Sequence, residues 1–200
     1  MRLLHYPSSG NGYKVRLALT QLGLACDEEP VDILAGESST PEFLALNPDG
    51  RTPVLVLDDG TALAESAAIL LRIAEGTRLL PAGPEARGEV LRWLFFEQNR
   101  IEPAIGTGRF RGAIGGADPA VLAWLAGQAR GALAVLDAHF AEHEFAAANR
   151  YTVADIALYA YGHLGDEAGA PLAAVPRVQA WCRRVEAQPG WFPGPEPVPR

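Results

Sequence analysis

Apolar positions follow two regimes along this chain. As far as residue 75, short apolar runs of strand length alternate with stretches whose apolar residues recur every three or four positions; beyond residue 88 only the helical spacing remains. Leu3-Leu4-His5-Tyr6 predicts a strand over residues 2–6. Val15, Ala18, Leu19 and Leu22 give the buried face of a helix over 11–23, with Gly23 at its C-cap. Cys26 to Ile33 predicts a second strand, placed at a sheet edge because Pro30 has no N–H to donate. A polar loop from Gly36 to Thr40 precedes a short helix with Pro41 at its first position, which stops at the turn Asn47-Pro48-Asp49-Gly50. Thr52 to Leu57 predicts a strand, Asp58-Asp59-Gly60 a hairpin turn, Thr61 to Leu63 the return strand, and Glu65-Ser66 the start of a helix that buries Ile69, Leu70 and Ile73.

The remainder predicts helices alone. Gly76 to Arg87 lacks periodicity and is expected to be a linker. Val90, Trp93, Leu94 and Ile101 suit one long helix that Pro103 and the glycines after it bend or break. Asp118-Pro119 opens a helix carrying Leu122 to Phe140, Thr152 to Gly162 forms another, and Val178, Trp181, Cys182 and Val185 mark the last. The Pro-rich tail from Pro189 to Arg200 is expected to lie extended over the surface. Thr152 and Asp155 have capping-box spacing, with Tyr151 and Ile156 as its hydrophobic staple, which makes them a folding device.

Composition narrows the function classes. The 200 residues, 48% hydrophobic and 20% charged, suit a globular protein with a sizeable core. A formal charge of −7 without a basic block argues against nucleic-acid binding. No apolar run is long enough to cross a membrane, and Pro7-Ser8 comes too early for a signal peptide. Cys26 and Cys182 have no metal or redox spacing, so the expected setting is a reducing cytoplasm and no metal is expected. His139 and His143 are four apart but have no evident third ligand, and Gly10-Asn11-Gly12 lacks the third glycine of a dinucleotide fingerprint.

Candidate chemistry gathers at Tyr6-Pro7-Ser8-Ser9-Gly10-Asn11-Gly12, between the first strand and the first helix. Hydroxyls, an amide and free backbone N–H groups at a helix N-terminus favour an anion. This turn, Asn47-Pro48-Asp49-Gly50-Arg51-Thr52-Pro53-Val54-Leu55, Glu65-Ser66 and Tyr151 to Tyr159 together resemble the cytosolic glutathione S-transferases, in particular bacterial members with Ser, Thr or Asn at the active-site turn. The resemblance implies a thioredoxin-like domain over 1–76 with a mixed four-stranded sheet. A linker over 77–87 and an all-helical domain over 88–200 would follow.

It also implies glutathione as co-substrate, a small hydrophobic or electrophilic second substrate, and a homodimer. The activity implied is glutathione-dependent transfer; the alternatives are disulfide-bond reduction or peroxidation, and non-catalytic glutathione binding. By the same resemblance Pro53 follows a cis peptide, and Arg51, Thr52, Pro53, Val54, Glu65 and Ser66 hold glutathione. The Val54 backbone would pair with the peptide, Ser66 and the helix start would take the γ-glutamyl carboxylate, and Glu65 the ammonium. Arg51 and Lys14 are candidate cations for the glycyl carboxylate.

A free thiol has a pKa of roughly 8.5, and lowering it by about two units takes ~2.7 kcal/mol of preferential thiolate stabilisation. Ser9 is the first candidate donor to the sulfur and Asn11 the second; Ser8, by a register shift, and Tyr6 are the alternatives. The absence of a cysteine from the turn argues against mixed-disulfide chemistry there. Tyr13, Trp93, Phe96, Asn99, Arg109 and Phe110 are candidates for the electrophile pocket, with Arg109 able to neutralise an anion.

Overall fold

A computed structural model describes residues 1–199; Arg200, the end of the expected tail, lies outside the described residues. The first half forms a mixed sheet of β1 (Arg2–His5), β2 (Asp27–Pro30), β3 (Val54–Val56) and β4 (Ala62–Ala64), in the order β2-β1-β3-β4. β1 runs parallel to β2 and antiparallel to β3, and β3 is antiparallel to β4. The edge position of β2 follows from its sequence, Asp-Glu-Glu-Pro, which is exposed throughout and ends in a residue without an N–H.

Strand alternation divides the core between two faces. Leu3 and Leu55 pair in register and join Val15 and Leu19 of α1 (Gly10–Leu22) with Ile69 and Leu70 of α3 (Ser66–Ala74). Leu4 and Val54 point the other way, into a smaller cluster with Val31 and Phe43 of α2 (Pro41–Leu46). Each fully buried aliphatic side chain of this kind contributes about 1.5–3 kcal/mol.

The second half is helical: α4 (Pro84–Phe96), a π-helical segment (Glu97–Gly106), α5 (Thr107–Ile114), α6 (Pro119–His139), α7 (Val153–Gly162) and α8 (Pro176–Glu186). Two differences from expectation have local causes. The predicted linker is partly helical, because Pro84 takes the first position of α4, where its missing N–H costs nothing. Pro103 does not break the chain; the wider π turn carries the helix past the residue that cannot donate. The tail carries no helix or strand and runs over the surface as expected, anchored where Pro195 and Val198 are buried and the Glu196 N–H donates to the Pro7 carbonyl at 3.2 Å.

α7 is buried on all sides, and the capping box starts it. Asp155 Oδ1 accepts from Ala146 N at 2.8 Å and Trp181 Nε1 at 3.0 Å, while Oδ2 accepts from the Thr152 N–H at 3.0 Å and its hydroxyl at 3.2 Å. Burial pushes this carboxyl up to about 6 against the pull of those four donors. Asp155→Asn presents an NH2 where two donors point, so it should lower unfolding free energy by about 2 kcal/mol in denaturant melts. Unchanged stability would contradict the network.

Candidate functional site

The β1–α1 turn opens onto a cleft of about 700 Å³ between the sheet and the helices, lined among others by Ser9, Asn11, Thr52, Glu102, Phe110 and Tyr161. A smaller, more polar cavity of about 300 Å³ shares Asn11, Arg51, Thr52 and Glu102 and continues to Pro53, Glu65 and Ser66. The structure therefore brings the three separated motifs of the first half onto one elongated surface.

Ser9 is the N-cap of α1, and its Oγ accepts the Asn11 N–H at 3.2 Å. Its own proton has one neighbouring acceptor across the cleft wall, the Tyr161 hydroxyl at a long 3.5 Å. Ser8 differs: its hydroxyl donates to the Pro197 carbonyl at 2.8 Å. That bond uses its single proton, so Ser8 has none left to offer the cleft. Tyr6, which follows β1, also lines the cleft, and its buried hydroxyl has no partner among the described residues.

Asn11 is aimed by Lys14. Lys14 Nζ donates to Asn11 Oδ1 at 2.7 Å and to Glu97 Oε2 at 2.8 Å, with Ser66 Oγ at 3.5 Å. An ammonium only donates, so Asn11 gives its Oδ1 to Lys14 and turns its NH2 group toward the cleft, where the Glu102 carboxyl is its neighbour. Lys14 and Glu97 are both completely buried, which corrects the expectation of Lys14 as a cation for the glycyl carboxylate. Glu102, half-buried across the cleft, has its carboxyl held above the usual range, chiefly by burial and against the pull of Lys14.

The Thr52–Pro53 peptide is cis. Val54 lies in β3 with Leu4 on one side and Ala64 on the other. Among the described residues it is the Thr52 backbone, outside the ladders, that makes no hydrogen bond within the fold. An open peptide edge therefore lies at Thr52, one residue before the cis proline and two before Val54. At the far end, Glu65 has φ 69° and ψ 109°, a conformation costly for a residue with a Cβ, and caps α3 without a side-chain bond. The first N–H groups of α3 are left open beside the buried Ser66 hydroxyl, which donates to Asn11 Oδ1 at 3.3 Å. Arg51 pairs with Asp49 at 3.0 Å, but both side chains are well exposed and such a pair is easily broken.

The predicted electrophile pocket is mostly elsewhere. Tyr13 and Trp93 are core residues, each 1% exposed, and the Tyr13 hydroxyl donates to the Phe192 carbonyl at 2.7 Å. Phe96 packs edge-on against Trp93 and Asn99 is exposed, both away from the cleft. Phe110 lines the cleft, as do Arg111 and Ile114. Arg109 touches it, but its donors are committed to the Ser8 carbonyl and the Glu196 carbonyl, each at 2.7 Å, and to Glu167 at 2.5 Å. It pins the β1–α1 turn to the tail and is not a free cation for a substrate. Sequence reasoning missed Tyr161, whose hydroxyl lies 3.2 Å from Asn11 N and 3.5 Å from Ser9 Oγ. The available signal was Gly10, a glycine at the first position of a helix where no turn requires one.

Comparison with known proteins agrees with this layout. Residues 3–78 match the glutathione S-transferase N-terminal domain, and residues 116–189 the C-terminal domain. The chain is 36% identical to glutathione S-transferase 3 of Zea mays, with 96% of this chain and 91% of that protein covered. It is 35% identical to maleylacetoacetate isomerase of Rhizobium meliloti, over 91% and 89%. A crystal structure of a glutathione S-transferase from Pseudomonas fluorescens superposes with a TM-score of 0.93 at 41% identity, covering 96% and 97%.

Proposed function

The chain belongs to the glutathione S-transferase family, and on that premise we propose that it binds glutathione in the cleft and transfers it, as the thiolate, to a small electrophile. The observation that carries this reading is the Ser9 hydroxyl at the N-terminus of α1, held only by a long 3.5 Å contact to Tyr161 and facing a cavity that runs on to the open start of α3. The γ-glutamyl carboxylate would take the α3 N–H groups and Ser66, and Glu65 its ammonium. The cysteinyl backbone would pair with Thr52, and the glycyl carboxylate would lie near Arg51. The thiol proton leaves to solvent. The sulfur attacks an electrophilic carbon beside Phe110 and Ile114, and the leaving group departs with its electron pair or, in an addition across a double bond, the neighbouring atom receives the π pair and takes up a proton from solvent. Ser9 and the Asn11 amide stabilise the negative sulfur without bonding covalently to it.

Ser9→Ala should lower turnover of a model aryl halide by about tenfold to a hundredfold. The lost cap would cost ~1 kcal/mol at most, because Tyr161 also accepts the Asn11 N–H. Unchanged turnover would remove Ser9 from its role. Retention on immobilised glutathione without any turnover would instead favour a binding protein. The homodimer expected of the family has an apolar side chain available in Phe95 on α4, which is 72% exposed.

A further inference from the structure

We propose that Tyr161 is a second donor to the glutathione sulfur, so that the thiolate is held by two hydroxyls, one from each half of the chain. The inference rests on the glutathione reading above and adds a residue to it from the helical half.

Three observations lead to it. First, the Asn11 N–H approaches both Ser9 Oγ and Tyr161 OH at 3.2 Å. One donor thereby occupies a lone pair on each oxygen and leaves both hydroxyl protons unspent. The two oxygens are 3.5 Å apart, well beyond the usual O–H···O separation of about 2.8 Å, so the bond between them is weak and uses at most one of the two protons. Second, Tyr161 is 4% exposed yet lines the main cleft. A buried phenol that lacks a good acceptor carries a desolvation cost, and a phenylalanine would pack as well without it. An anion in the cleft in front of Ser9 supplies the missing acceptor.

Third, the ring is held in place. A Cβ at Gly10 would lie 2.6 Å from Tyr161 Cε1 and Cζ, and one at Gly106 would lie 2.9 Å from Cε1. Two backbone segments stripped of side chains therefore clasp the ring, one from α1 and one from the π-helical segment. A donor fixed in this way needs no reorganisation when charge develops on the sulfur. Burial holds the phenol above its ordinary range, and the facing carboxyls of Glu102 and Glu97 push the same way, with Ser9 and the Asn11 N–H opposing. Tyr161 is a donor at neutral pH and not a base. The reaction centre is then complete only when the helical half is docked, since Tyr161 and Gly106 both belong to it.

The test is the thiol pKa of bound glutathione, read from thiolate ultraviolet absorbance in the wild type, Tyr161→Phe and Ser9→Ala. Phenylalanine keeps the ring between the two glycines, so the variant should fold and bind glutathione within about twofold of wild type. Its bound thiol should titrate about one unit higher, a tenfold loss of thiolate at neutral pH. Turnover should fall in parallel and recover as pH rises. A residue that only packs would leave the thiol pKa where it is. Wild type showing a depressed thiol pKa that Tyr161→Phe leaves unchanged overturns this proposal alone and leaves the glutathione reading standing. No glutathione binding by the wild type overturns both.

Discussion

Lys14→Met should cost about 3–5 kcal/mol of unfolding free energy, the range for removing one partner of a buried ion pair. Lys14 and Glu97 are both 0% exposed, and the ammonium joins α1 to the π-helical segment 83 residues away. Methionine fills the space of the lysine stem but leaves a carboxylate in an apolar interior. That carboxylate already has one oxygen, Oε1, without a partner; the other would keep only Gln98 Nε2 at 2.8 Å. Replacing both residues, Lys14→Met with Glu97→Gln, should restore most of the stability, because no unpaired charge remains. It should not restore activity, because Asn11 Oδ1 would still lack the ammonium that turns its NH2 toward the cleft. Denaturant melts and turnover on the single and double variants separate the two effects. A Lys14→Met protein as stable as wild type would contradict the buried pair.

Gly10→Ala should cost about 3 kcal/mol and lower turnover at least a hundredfold, at the upper end for a single added methyl group. Most overpacked sites relax by moving a side chain, but here the obstacle is the Tyr161 ring, with the Gly106 backbone behind it. The movement left is that of the α1 N-terminus, which carries Ser9 and Asn11. A displacement there of about 1 Å is enough to misalign a donor with a reacting atom. Gly10→Ala combined with Tyr161→Leu should regain stability and not turnover. A fully active Gly10→Ala protein would show that the ring is not clasped as described.

The sheet elements, their order along the chain and the three polar segments that meet at the cleft were legible because each is local. Strand alternation, an X-Pro at a strand entry and a helix start beside Glu65-Ser66 are all written within a few residues. What was not legible depends on partners distant in sequence. Ser8 spends its proton on Pro197, 189 residues on, which no local pattern announces. Lys14 looked like a surface cation because nothing in its helix announces Glu97. Trp93 fell on the buried helix face its spacing predicts and Tyr13, a pocket candidate, is buried as well, but periodicity does not say whether a buried position looks into a core or a cavity. Arg109 was read as a substrate cation for the same reason; its three partners are the turn, the tail and Glu167. Pro103 was expected to interrupt the helix, and a widened turn absorbed it.

The central claim is that the β1–α1 turn is the wall of a tripeptide site that faces the sulfur. A crystal structure of the protein with glutathione tests it most directly. The account predicts the sulfur within about 3.5 Å of Ser9 Oγ, the cysteinyl backbone against Thr52 and the γ-glutamyl carboxylate at the start of α3. A sulfur that contacts Tyr6 or Ser8 and not Ser9, or a tripeptide lying away from Glu65 and Ser66, would contradict it.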